Sequence, residues 1–145
     1  MTWRLAVLED DKAIVEMCTE LYREDPGIRP VPEEQSWSTL IELRLNPVRG
    51  SAWVLELDGK AQGYCFLILF WSNELGGEIA VVDEIFVRKE KRGAGHGRAF
   101  FEKLLTEKKY RAADLEVTPA NARARRFYEG LGFSPLKNAH LRVRF

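Results

Sequence analysis

The chain has 145 residues, 46% of them hydrophobic and 30% charged, a composition that fits one globular domain over residues 1–145 with a sizeable core. Lys and Arg number 22 and Asp and Glu 22; this neutral balance speaks against general nucleic-acid binding, which needs a basic surface to neutralise phosphates. The first ten residues lack the apolar core and small-residue cleavage site of a signal peptide, and the longest apolar run, 64–71, is far short of the roughly 18 residues of a membrane span. A cytoplasmic protein without a membrane partner is therefore expected. Cys18 and Cys65 lie in apolar segments without metal-ligand spacing, and His96 and His140 are far apart, so free buried thiols and no metal are expected.

In chain order, residues 3–7 read as a strand. Asp10 or Asp11 can cap a helix that places Ile14, Val15, Cys18, Leu21 and Tyr22 on one face. Asp25-Pro26-Gly27 breaks it, and a second helix from Glu33 carries Trp37, Leu40, Ile41 and Leu45 at helical spacing until Pro47. Residues 51–57 and 61–71 form a hairpin across Asp58-Gly59, and a further strand covers about 78–88. A helix from the glycine-rich segment runs to about Tyr110 and buries Phe100, Phe101, Leu104 and Leu105. A short strand at 113–117, a helix at 121–131 and an alternating tail at 140–145, suited to a final edge strand, complete the pattern. Antiparallel hairpins followed by a βαβ-like unit give an α/β mixed sheet with helices on both faces.

The segment Arg92-Gly93-Ala94-Gly95-His96-Gly97-Arg98 lies between a strand and a helix. Glycines let the backbone approach a ligand, and the free N–H groups and dipole of a helix start favour phosphate. Arg88, Lys89, Lys91, Arg92 and Arg98 add positive charge, opposed only by Glu90, which suits a pyrophosphate. The P-loop pattern fails for want of a Gly-Lys-Ser/Thr ending. A dinucleotide fingerprint is one residue out of step, although Glu116 sits roughly 20 residues on, at the distance of a ribose-binding acid. A flexible basic loop without a ligand is the remaining alternative.

A second cluster decides among them. Arg92-x-x-Gly95-x-Gly97 resembles the R/Q-x-x-G-x-G/A motif of the GNAT acetyltransferases, and it follows Val82-Asp83-Glu84-Ile85-Phe86-Val87, which is similar to that family's central strand. Asn121-x-x-Ala124-x-x-Phe127-Tyr128-Glu129-x-Leu131-Gly132-Phe133 resembles the family's N-x-x-A-x-x-F-Y-E-x-x-G-F segment, in matching order and spacing. The resemblance implies a mostly antiparallel sheet splayed at the cofactor site, with acetyl-CoA in the opening. By position, the strand Ile85, Phe86 and Val87 would hold its pantetheine arm and thioester carbonyl. Arg92, Gly93, Ala94, Gly95, His96, Gly97 and Arg98 would hold the pyrophosphate. Asn121 and Ala124 would approach the cofactor from the next helix, Asn121 serving also, or only, as an N-cap.

The same resemblance implies direct attack of an amine on the thioester, with Tyr128 as general acid to the departing thiolate. An amine with a pKa near ~10 must first lose a proton, and Asp83 or Glu84 could take it, directly or through water. Neighbouring strand residues face opposite ways, so one of the two faces the acceptor; Glu84 is favoured, with Val81, Asp83, Ile85 and Val87 expected on the other face unless a bulge intervenes. The acceptor is expected near the connection between the first two helices and the loop after Trp71, with Tyr22, Trp37 and Trp71 as a possible aromatic wall. Asp25, Glu33, Glu34, Glu74 and Glu78 would make that mouth acidic and favour a small cationic amine. The alternatives are a protein N-terminal or lysine acetyltransferase and a non-catalytic CoA-binding sensor. The family resemblance also allows a homodimer.

Overall fold

The computed structural model describes residues 2–27 and 29–145. Strand β1 (Thr2–Leu5) leads through a 3-10 turn (Leu8–Asp10) into helices α1 (Asp11–Glu24) and α2 (Glu33–Leu45). Strands β2 (Gly50–Leu57), β3 (Lys60–Ser72) and β4 (Gly77–Val87) follow, then a 3-10 turn (Lys89–Lys91), helix α3 (His96–Thr106), strand β5 (Ala112–Leu115) and helix α4 (Ala122–Gly130). The five strands form one open sheet in the order β1-β2-β3-β4-β5. All neighbours are antiparallel except β4 and β5, which run parallel and are joined through α3.

Local chemistry explains the joints. Asp58 and Gly59 both take positive φ, 52° and 71°, the conformation that a two-residue hairpin between right-twisted strands requires. Two buried aspartates fix the start of α1, each held by an arginine from another element. Asp10 binds Arg4 of β1 at 2.7 Å and accepts the Val7 N–H, while Asp11 makes a two-pronged pair with Arg44 of α2 at 2.6 and 3.0 Å. Neither carboxylate therefore caps the helix through its side chain, contrary to the sequence expectation.

Strand alternation builds two cores, one on each face of the sheet. Cys65 and Leu67 of β3 turn toward α3 and α4 and pack with Trp3, Leu55, Ala80, Val82, Phe100, Phe101 and Leu104. Tyr64 and Phe66 turn the other way, toward Ile14, Val15, Met17 and Cys18 of α1, Leu40 and Leu43 of α2, and Phe86. Each fully buried large apolar side chain contributes about 2 kcal/mol.

Three further sequence expectations change. Helix α2 buries Ser36, Leu40 and Leu43, while Trp37, Ile41 and Leu45 face outward, because the face that packs into the core is that of Leu40 and Leu43, and Arg44 ties the helix to Asp11 of α1. Helix α3 stops at Thr106 and leaves Leu105 exposed; Lys108, at φ 49°, cannot continue a right-handed helix. The tail forms no strand: Leu141, Val143 and Phe145 are all exposed, so its alternation meets no apolar surface. Among the described residues, no helix is long and apolar enough to cross a membrane, and no group of three or more His, Cys, Asp or Glu is placed to hold a metal ion.

Candidate active site

The site begins where two ladders fail together. Phe66 pairs with Glu84 but Leu67 pairs with Val82, so Asp83 is an extra residue on β4, a bulge. The parallel ladder to β5 ends at the same level, with Val82 opposite Leu115. Beyond that point β4 and β5 diverge, and a cleft of about 670 Å³ opens between them, closed off by the start of α3 and by α4. The bulge also corrects the facing of β4. Val82, not Val81, shares the face of Ile85 and Val87, because the extra residue restores the alternation one position later.

Backbone alternation then decides which groups reach the cleft. Arg88 donates its N–H to Gln62 across the ladder at 2.9 Å, so the peptide groups of Ile85 and Val87 point the other way, into the opening. The Val87 carbonyl accepts a bond from Arg92 Nε at 2.8 Å. Phe86 points its backbone toward β3 and buries its ring against Tyr64, with the Arg92 guanidinium stacked on it at 5.2 Å.

The glycine-rich segment supplies the other end of the cleft. Gly93 and Gly95 have φ of 84° and 81°, and a Cβ at either would meet no atom within 4 Å. Backbone conformation, not crowding, is what these positions ask of glycine, and their outer side is open to a ligand. Gly95 is the N-cap of α3 and offers no side chain, so the amides of His96, Gly97 and Arg98 have no acceptor within the helix. The exposed Ala94 lies in the loop between the two glycines. Lys91, Arg98 and Arg123 line the cleft nearby. Arg92 lines it too, with its guanidinium bound to Glu24 of the same lining at 2.7 Å. His96 accepts the Trp3 indole N–H on its carbonyl at 2.8 Å, while its Nδ1 is buried without a partner. Asn121 accepts the Ala124 N–H at 3.1 Å, so it caps α4 while it and Ala124 both line the cleft. An amide-rich, basic cradle beside an unpaired strand edge fits the diphosphate and amide-bearing arm of a CoA thioester.

The acids lie at the apex. Glu84 faces α1 and α2, and its carboxylate accepts two phenol bonds, from Tyr22 at 2.6 Å and Tyr64 at 2.8 Å. Burial pushes its pKa above the ordinary carboxylate range, and the two phenols pull against that rise. Asp83, though its side chain is exposed, is also raised, by its partly desolvated place in the cleft first and by the charge of Glu116 second, with Arg142 opposing. Tyr128 lines the cleft, packed edge-on against Phe101, Phe127 and Phe133, and burial pushes its hydroxyl up to about 12. Both cysteines are free and buried, and desolvation raises each thiol, Cys18 to about 11.

Of the expected aromatic wall, only Tyr22 reaches the acids. Trp71 pairs with Glu78, six residues ahead of Glu84 and so roughly 20 Å away along β4, and Trp37 is exposed with its indole on Glu33. Of the expected acidic mouth, Asp25 lines the cleft, where it accepts the Thr118 hydroxyl at 3.0 Å and so ties α1 to the chain after β5; Glu33, Glu34, Glu74 and Glu78 do not line it. Sequence reasoning passed over Tyr64, whose signal was a polar-tipped aromatic in an otherwise apolar strand.

Comparison with known proteins places this geometry. The profile of the Acetyltransferase (GNAT) family matches residues 14–133. An uncharacterized N-acetyltransferase of Archaeoglobus fulgidus is 37% identical over 79 residues, covering 52% of this chain and 54% of that protein, so the chain spans about half the length of this curated relative. The structure of a possible acetyltransferase from Clostridium difficile 630 superposes with a TM-score of 0.87 at 20% identity, over 99% of this chain and 97% of the other. An aminoglycoside N-acetyltransferase solved in complex with CoA gives 0.77 at 16% identity, over 99% and 93%. Both structures share the fold of this chain.

Proposed function

The chain belongs to the GNAT acetyltransferase family, and from that membership we propose that its 145 residues act as one domain that transfers acetyl from acetyl-CoA to a primary amine, by direct attack. The observation that carries the proposal is the cleft itself. One continuous opening has the free amides of the α3 start at one end and Glu84, Asp83 and Tyr128 at the other. Acetyl-CoA supplies a thioester carbonyl on which an uncharged amine forms a C–N bond as the C–S bond breaks.

The chain's own groups do the rest. Residues 93–98 hold the diphosphate through backbone N–H groups, helped by the charge of Arg98. The unpaired edge of β4 at Ile85 and Val87 aligns the pantetheine arm and offers an N–H to the thioester oxygen. Glu84 takes the proton that the ammonium must lose, with Asp83, the bulge residue beside it, as the alternative. Tyr128 gives its proton to the departing sulfur. Its high pKa keeps it protonated at neutral pH, as a general acid must be. A carboxylate at the apex and Asp25 at the rim favour a small cationic acceptor, the class to which the aminoglycosides of the CoA-bound neighbour belong.

The test is release of free CoA thiol from acetyl-CoA across polyamines, aminoglycosides, amino acids and peptides. Turnover with small cationic amines is expected. Turnover confined to peptides transfers the proposal to a protein acceptor, and acetyl-CoA binding with no turnover anywhere indicates a sensor.

A further inference from the structure

Glu84 is held in a way that none of the motifs requires. Its two carboxylate oxygens are taken by different elements: Oε2 by Tyr22 from the last turns of α1, Oε1 by Tyr64 from β3. Tyr64 is fully buried and packs its ring on Phe66 and Phe86, so its hydroxyl has one fixed position. Ser36 of α2, only 4% exposed, and the buried Cys18 of α1 sit behind the two phenols. A carboxylate on a strand is thereby held through both oxygens, from α1 and from β3, and its remaining surface lines the cleft.

We propose that Tyr22 and Tyr64 are positioning residues for Glu84, a two-phenol clamp that keeps the carboxylate charged and directed at the ammonium of the acceptor. This deepens the proposed function and rests on Glu84 as the base. A lone half-buried carboxylate is pushed toward its neutral form, which can neither attract an ammonium nor take its proton. Two phenol donors replace the water that burial removes. They remain donors at every working pH, because desolvation and the Glu84 charge raise both phenols far above the ordinary tyrosine value. The other titratable groups facing Glu84 are the Cys18 thiol, likewise raised and uncharged, and Asp83, whose negative charge works against ionisation of Glu84. The clamp is what opposes it.

The experiment follows the Glu84 side-chain carboxyl by carbon-13 NMR through a pH titration of the full chain, its resonance assigned with Glu84→Gln. Loss of one donor to a charged group, while burial persists, raises the carboxyl pKa by about one unit. Tyr22→Phe is therefore expected to shift the titration upward by that amount with native circular dichroism and unchanged acetyl-CoA affinity. Tyr64→Phe, read in the same way, serves if the first variant does not fold. A carboxyl that titrates as in the wild type in a folded variant overturns the clamp. With an amine from the acceptor panel, the acid limb of kcat/KM is expected to move upward with the NMR value. A moved carboxyl beside an unmoved limb removes Glu84 as the base, and with it the role of the clamp in turnover; the NMR titration needs no acyl donor, so it tests the clamp separately from the proposed activity.

Discussion

If Tyr128 is the general acid proposed above, its loss should separate chemistry from binding. Its ring is held by three aromatic neighbours, so Tyr128→Phe keeps the packing and removes only the hydroxyl. If that hydroxyl protonates the leaving sulfur, turnover falls by roughly a hundredfold while acetyl-CoA affinity stays within about twofold. Steady-state thiol release together with calorimetry of acetyl-CoA binding reads both. Unchanged turnover removes Tyr128 from the mechanism. Asp83 and Glu84 differ in the same local terms: adjacent in sequence, they meet different surroundings because one sits in the bulge and the other behind two phenols.

At the scale of elements, the start of α3 is specified by backbone conformation more than by charge. Gly95 caps the helix at φ 81°, a left-handed geometry that costs a residue with a Cβ about 1 kcal/mol. Because nothing lies within 4 Å of the added carbon, Gly95→Ala should leave the fold intact and weaken acetyl-CoA by about fivefold to tenfold, as measured by calorimetry. Unaltered affinity would show that the amides after Gly95 do not hold the diphosphate. The glycine segment and the Asn121 cap were readable from sequence because each depends on local backbone rules. What could not be read depends on contacts distant along the chain. Helix α2 docks on partners far along the chain, with Leu40 and Leu43 in the core beside α1 and Arg44 on Asp11, 33 residues away, and the Tyr22–Glu84 bond spans 62. The tail shows the converse: six residues with strand alternation stay irregular, since pattern alone offers no surface to cover.

Across the whole molecule, the cleft is a place where the sheet is not sewn shut. Its walls belong to different elements and meet through few bonds, such as that from Thr118 to Asp25. A ligand that bridges β4, α3 and α4 should therefore stabilise the entire chain. Acetyl-CoA at about a hundred times its dissociation constant contributes about 2.7 kcal/mol by linkage, which corresponds to a rise in Tm of roughly 5–10 °C. Differential scanning calorimetry with and without the ligand checks this; an unmoved transition at a high ligand concentration would mean that the folded chain does not bind it.

The two cores have a consequence for how such a chain can change over time. On the proposed reading, residues that meet the acceptor would hang mainly from α1 and the face of the sheet it covers, and those that meet the acetyl donor from α3 and α4 on the reverse. Substitutions on opposite faces share few neighbours, so their effects should add rather than interfere. The appetite for one amine or another can then be rewritten on one side of the sheet while the other keeps its grip on a common currency of acyl groups. One strand, β4, is the hinge between innovation and inheritance.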